Sequence, residues 1–135
     1  ADMYRENILD HYKRPRNRGR IENADAEAHD SNPICGDDIS MALKISGKEG
    51  VVSDIKFDGT ACAICLASAS MLTEEVTGKK LQEARAYDKE KLLSLIGIDP
   101  GPARLKCALL PLKVLKLALY KYLGKKMSEE DERLV

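Results

Sequence analysis

Cys35, Asp37, Cys62, Cys65 and Cys107 are the side chains whose type and spacing could hold a metal or carry sulfur. They fall in three separated clumps: Cys35-Gly36-Asp37, Cys62-Ala63-Ile64-Cys65, and Cys107. Thiolates are soft donors suited to zinc and to iron-sulfur units, and a carboxylate beside them can complete a four-coordinate site. A tetrahedral site takes four donors, so one is left over. That surplus suits a site that changes its ligands and holds its cargo temporarily. No Gly-x-Ser-x-Gly elbow occurs and no histidine adjoins a cysteine in sequence, so hydrolase-type nucleophilic catalysis finds no support. His11 and His29 read as surface residues.

The local sequence indicates how each donor is presented. Cys35 and Asp37 lie two apart around a glycine, which in extended backbone puts both side chains on one face. Asp37 followed by Asp38 also has the form of a turn signal. Cys62 follows Asp58-Gly59-Thr60 and directly precedes a helical pattern, so its thiol should meet the free amides of a helix start. Cys65 falls in the first turn of that helix, where it can be a ligand or merely a small buried apolar residue. Pro111 cannot donate to the carbonyl of Cys107, which predicts a helix beginning close to Cys107, and Lys106 adds positive charge beside that thiol.

Around these clumps the pattern predicts a short amphipathic helix over 2–12 that ends before Pro15. A polar segment, 22–33, reads as a mobile loop delivering Cys35 and Asp37 to the domain edge. Ile39, Met41, Leu43 and Ile45 alternate with polar or small residues, and Val51, Val52, Ile55 and Phe57 form a second strand-like run. The intervening Gly47-Lys48-Glu49-Gly50 makes the pair an antiparallel hairpin. The period then turns helical over 63–77, with Gly78 as the stop. Two short helices follow over 81–86 and 88–96, with Asp88 as N-cap and Gly97 as terminator. Leucines fill most of 108–123, leaving Lys113, Lys116, Tyr120 and Gly124 as one polar stripe. Such a helix should be largely buried and form the spine of the core.

At 135 residues the chain fits one domain, expected over 1–127 and followed by a charged, frayed tail over 128–135. The 22 basic and 22 acidic residues cancel, so nothing global argues for nucleic acid or a membrane surface. Arg5, Lys13, Arg14, Arg16, Arg18 and Arg20 make the opening locally basic, which reads as a solvated segment rather than a docking patch. No stretch approaches the length of a membrane span and the start lacks a signal-peptide core, so a soluble, cytoplasmic protein with reduced thiols is expected. Four cysteines in that setting point to metal or sulfur chemistry rather than disulfides.

Taken in order, Cys35-Gly36-Asp37, Gly59-Thr60-Ala61-Cys62 with Ala67-Ser68-Ala69-Ser70-Met71, and Arg104-Leu105-Lys106-Cys107 resemble the three signature segments of the IscU, SufU and NifU iron-sulfur cluster scaffolds. Ile8-Leu9-Asp10-His11-Tyr12, Pro15-Arg16-Asn17 and Gly19 resemble that family's opening, so the likeness spans nearly the whole chain. It implies an α+β fold: a three-stranded antiparallel sheet with helices on one face and a cluster site at one exposed end. It implies that a cysteine desulfurase delivers persulfide sulfur, that iron arrives separately, and that a [2Fe-2S] cluster is built and passed to apo iron-sulfur proteins. On that resemblance Cys35, Cys62 and Cys107 are ligands, Asp37 is the ligand that keeps the cluster releasable, and Cys107 accepts the persulfide. Zinc can occupy the same site, and a cluster bridging a homodimer is compatible with the donor count.

Two departures stand out. Lys106 occupies the place where one branch has a histidine, whereas the Cys62 to Cys107 interval is too short for the insertion common in the SufU-like branch. Cys65 stands where the family usually has a small residue such as serine, and is the alternative fourth ligand to Asp37. The competing function classes are a zinc-binding sulfurtransferase-type persulfide acceptor and a structural zinc module.

Overall fold

The structure is a computed structural model that describes residues 2–34 and 36–124, with residues 2–4 described by backbone alone. Cys35 and the expected tail over 128–135 lie outside the described residues. The elements run α1 (Asp2–Lys13), β1 (Ala26–Asn32), β2 (Asp37–Ser46), β3 (Val51–Thr60), α2 (Ala63–Val76), α3 (Leu81–Ala86), α4 (Lys89–Ile96) and α5 (Leu105–Leu123). The strands form one antiparallel sheet in the order β1-β2-β3. This is the α+β fold that the family resemblance implied.

Alternation along β2 turns Asp37, Ile39, Met41 and Leu43 inward, and β3 contributes Val52, Ile55 and Phe57. Helices α2 and α5 cover that face, α5 lying against β1 and β2 and α2 against β3. Leu110, Leu112, Leu115 and Leu119 of α5 are fully enclosed, so the leucine-rich helix is indeed the spine of the core. Its glycine stop, Gly124, adopts left-handed backbone at φ 67°. Asp88 caps α4 by accepting from the Lys91 amide at 2.8 Å, and Gly97 ends it at φ 78°.

Three expectations need correction. The polar segment read as a mobile loop contains β1, whose inward positions are Ala26, Ala28, Asp30 and Asn32. Small and polar side chains hid the alternation, and Lys113 of α5 neutralises Asp30 across the layer at 3.0 Å. Helix α5 begins at Leu105, close to Cys107 as Pro111 indicated, with Pro111 itself inside the helix. Lys116 does not line a solvent stripe: it is 3% exposed, and its amine donates to the carbonyl of Arg85. His11 is buried against α2 instead of facing water.

The opening segment is stitched to α2 by hydroxyl groups. Ser70 Oγ lies 2.7 Å from His11 Nδ1 and accepts from the Arg16 amide at 2.8 Å, while Asn17 Nδ2 donates to Thr73 Oγ1 at 3.2 Å. Asn17, at φ 64°, then turns the chain so that its carbonyl and the Gly19 amide bond to Phe57 on the outer edge of β3. Burial, and secondarily the charge of Arg16, pushes the His11 pKa down and keeps the ring neutral. The basic residues here are largely paired: Arg14 and Arg16 with Asp10, and Arg18 and Arg20 with Asp58. That pairing fits a structural segment better than an open cationic patch.

Candidate metal and sulfur site

Three elements meet at one end of the sheet and each brings a donor. Asp37 is the first residue of β2, Cys62 is the N-cap of α2, and Cys107 lies in the first turn of α5. One donor atom from each lies within 4.8 Å of the other two. Neighbouring ligands of a tetrahedral zinc are about 3.8 Å apart for metal–sulfur bonds of about 2.3 Å, so a modest contraction closes the set. Cys62 is half-buried, whereas Asp37 and Cys107 are each 1% exposed.

The two oxygens of Asp37 behave differently. Oδ1 accepts from the Cys62 amide at 2.9 Å, whereas Oδ2 is buried and has no hydrogen-bond partner among the described residues. A buried carboxylate oxygen left in that state costs roughly 1–3 kcal/mol, and more when charged. A cation is the partner that would relieve the cost. This orphaned oxygen, beside two thiols, is the observation that fits the site to a metal or an iron-sulfur unit.

Neighbouring residues fix the geometry. Gly59 precedes the Cys62 turn at φ 139°, and a β-carbon there would come within 1.9 Å of the Asp38 carbonyl, so only glycine lets β3 approach the start of β2. Ser68 Oγ donates to the Ala108 carbonyl at 2.7 Å, a fully buried bond that ties α2 to α5 just inside their cysteine-bearing ends. Sequence reasoning did not single out Ser68. The signal was a serine in the middle of a helix with apolar neighbours, whose hydroxyl must find a partner if buried.

The donors named from sequence therefore divide into groups. Asp37, Cys62 and Cys107 converge. Cys65 is fully buried one turn into α2, belongs to the hydrophobic core, and is not part of the converged trio. Cys35 lies outside the described residues; in sequence it stands two positions before Asp37. His29 is exposed and pairs with Asp38 on the outer face, away from the trio. No helix among the described residues is long and apolar enough to cross a membrane.

Comparison with known proteins identifies the family. The family described as NifU-like N-terminal domain matches residues 3–129. The chain is 37% identical to the zinc-dependent sulfurtransferase SufU of Bacillus subtilis, covering 90% of this chain and 92% of that protein. It is 34% identical to the iron-sulfur cluster assembly scaffold protein IscU of Aquifex aeolicus, covering 95% and 81% respectively. A crystal structure of a putative iron-sulfur cluster assembly scaffold protein for the SUF system from Fervidobacterium islandicum superposes with a TM-score of 0.70 at 32% identity, over 84% of this chain and 94% of that one. The chain belongs to the NifU-like N-terminal domain family, the IscU–SufU family of iron-sulfur cluster scaffolds.

Proposed function

We propose that this protein is a scaffold on which a [2Fe-2S] cluster is assembled from iron and from persulfide sulfur supplied by a cysteine desulfurase, and from which the cluster passes to apo-proteins. The observation that carries the reading is the convergence of Cys62, Cys107 and a buried Asp37 whose Oδ2 has no partner. Cys35, two residues before Asp37 in sequence, is the fourth donor in this reading. Cys107 is the persulfide acceptor in this reading, and Cys62 is close enough to take the sulfur onward. The carboxylate is a hard donor and the poorest match to the cluster, which favours release. The work belongs in a reducing compartment such as the cytoplasm, because it needs thiols.

A second reading has a specific observation behind it: a named zinc-dependent sulfurtransferase is 37% identical across nearly the full chain. In that reading zinc stays bound and the thiols relay persulfide without building a cluster. Anaerobic reconstitution with iron, cysteine and a desulfurase separates the two. The scaffold predicts a brown, oxygen-sensitive protein with equal iron and acid-labile sulfide, which then loses its cluster to an added apo-ferredoxin. Persulfide on the chain with zinc retained and no iron uptake rejects the scaffold in favour of the sulfurtransferase.

A further inference from the structure

Cys65 lies outside the converged trio, and its position relative to Cys62 suggests a different role. Cys62 is the N-cap of α2 in extended backbone (φ −69°, ψ 165°), and its carbonyl already accepts from Leu66 at 3.0 Å. Cys65 is therefore the third residue of a regular first turn. Residues so placed have Cα atoms about 5 Å apart, inside the range of roughly 4.4–6.8 Å that a disulfide spans. Cys62 is partly exposed while Cys65 is buried in the core, so an incoming reagent reaches the first sulfur and not the second. That asymmetry is characteristic of an attacking and a resolving thiol at a helix start.

Resting on the persulfide chemistry proposed above, we infer that Cys65 is a resolving thiol that reduces sulfane sulfur carried by Cys62 and releases it as sulfide. The need is chemical: a persulfide carries sulfur at the oxidation level of zero, whereas a cluster incorporates sulfide, two electrons lower. Sulfur on Cys107 first moves to Cys62, one persulfide and one thiol giving one thiol and one persulfide. The Cys65 sulfur then attacks the Cys62 sulfur and forms the Cys62–Cys65 bond. The bond to the terminal sulfur breaks and that sulfur departs as hydrosulfide. The Cys65 proton goes to the hydrosulfide or to water. One persulfide and one thiol thus become one disulfide and one hydrogen sulfide, with the two electrons drawn from the cysteine pair and no outside oxidant. Hydrosulfide is a better leaving group than an alkyl thiolate because its conjugate acid is stronger, which sets the direction of cleavage. A dithiol reductant returns the pair to two thiols before Cys62 binds metal again.

The test is a single turnover without added thiol. Metal-free protein and its Cys65→Ser and Cys65→Ala variants are each charged with a desulfurase and one equivalent of cysteine under argon. Free sulfide is trapped with a bimane, and the chain is mapped by mass spectrometry after alkylation. Wild type should release close to one sulfide per chain and carry a Cys62–Cys65 disulfide. The variants should hold the added sulfur atom on Cys62 or Cys107 and release sulfide about tenfold more slowly or worse. Equal release from all three proteins overturns the inference while leaving persulfide acceptance intact. Absence of added sulfur on any cysteine of the variants overturns persulfide acceptance itself, and the inference with it. Because Cys65 is buried, circular dichroism checks each variant's fold. Should both variants unfold, the wild-type map decides: sulfide release without a Cys62–Cys65 disulfide refutes the role.

Discussion

Replacing Asp37 by alanine separates its two oxygens energetically, because one is engaged in the metal-free protein and the other is not. In the metal-free state the variant loses the Oδ1 bond from the Cys62 amide. A hydrogen bond to a charged group contributes about 1.5–3 kcal/mol. The same change removes a carboxylate that is 1% exposed with Oδ2 unpartnered, a burden of roughly 1–3 kcal/mol. The two nearly cancel, so metal-free stability should move by no more than about 1 kcal/mol. With zinc present the balance differs, since in the proposed reading Oδ2 is then a ligand. Loss of a ligand should weaken zinc binding by at least about a hundredfold, as much as a strong outer-shell change does. At saturating zinc a hundredfold weaker affinity removes about 2.7 kcal/mol of stabilisation. For a domain of this length each kcal/mol shifts Tm by about 3–5 °C, so the zinc-induced rise in Tm should shrink by about 8–13 °C. Thermal unfolding followed by circular dichroism, with zinc and with chelator, measures both quantities. A zinc-induced rise equal to that of wild type would show that Oδ2 is not a ligand, and a large drop without metal would show that Asp37 is chiefly structural.

Two further outcomes concern the frame around the site. His11 has a lowered pKa because of burial, so the unfolded chain takes up a proton near pH 6.5 that the folded chain resists; stability should therefore fall as pH drops below about 6.5, and His11→Gln should flatten that decline in Tm between about pH 7 and pH 5. Gly59→Ala forces a β-carbon to within 1.9 Å of the Asp38 carbonyl, and should cost about 3 kcal/mol or more in urea unfolding and abolish zinc retention; a loss under about 1 kcal/mol would show that β3 does not need its close approach to β2.

What the sequence made legible follows from where side chains report their surroundings. Ile39 to Leu43 and the run from Val51 to Phe57 alternate because one face is buried, and Asp88, Gly97 and Gly124 mark helix ends through backbone chemistry that needs no tertiary context. Strand β1 was opaque because its partners are the backbone of β2 and the cover is α5, so Ala26, Ala28 and Asp30 suffice where larger apolar residues would leave a period. His11 and Lys116 were misplaced for one reason: each is a polar group whose burial depends on a distant partner, Ser70 and the Arg85 carbonyl, and no local pattern announces a partner far along the chain. Of the site, the residue types and the two helix starts could be read. The division of labour between the oxygens of Asp37, and the brace from Ser68 to Ala108, required three dimensions.

In the proposed scaffold, retention and release are set by different atoms. Cys62 and Cys107 stand on helix starts that Ser68 ties together, so folding places the sulfur pair before any cargo arrives. Asp37 already spends Oδ1 on the Cys62 amide, which leaves Oδ2 as the single oxygen that it would offer the proposed cargo. A lone hard oxygen on a soft centre is the weakest bond of the set, and the site should open there first. Once it opens, Oδ2 is again a buried oxygen without a partner, at a cost of roughly 1–3 kcal/mol. On the proposed reading, a cysteine in that position would strengthen the bond to the cargo and remove the cost of the empty site, turning a site proposed to discharge and refill into one that keeps what it binds.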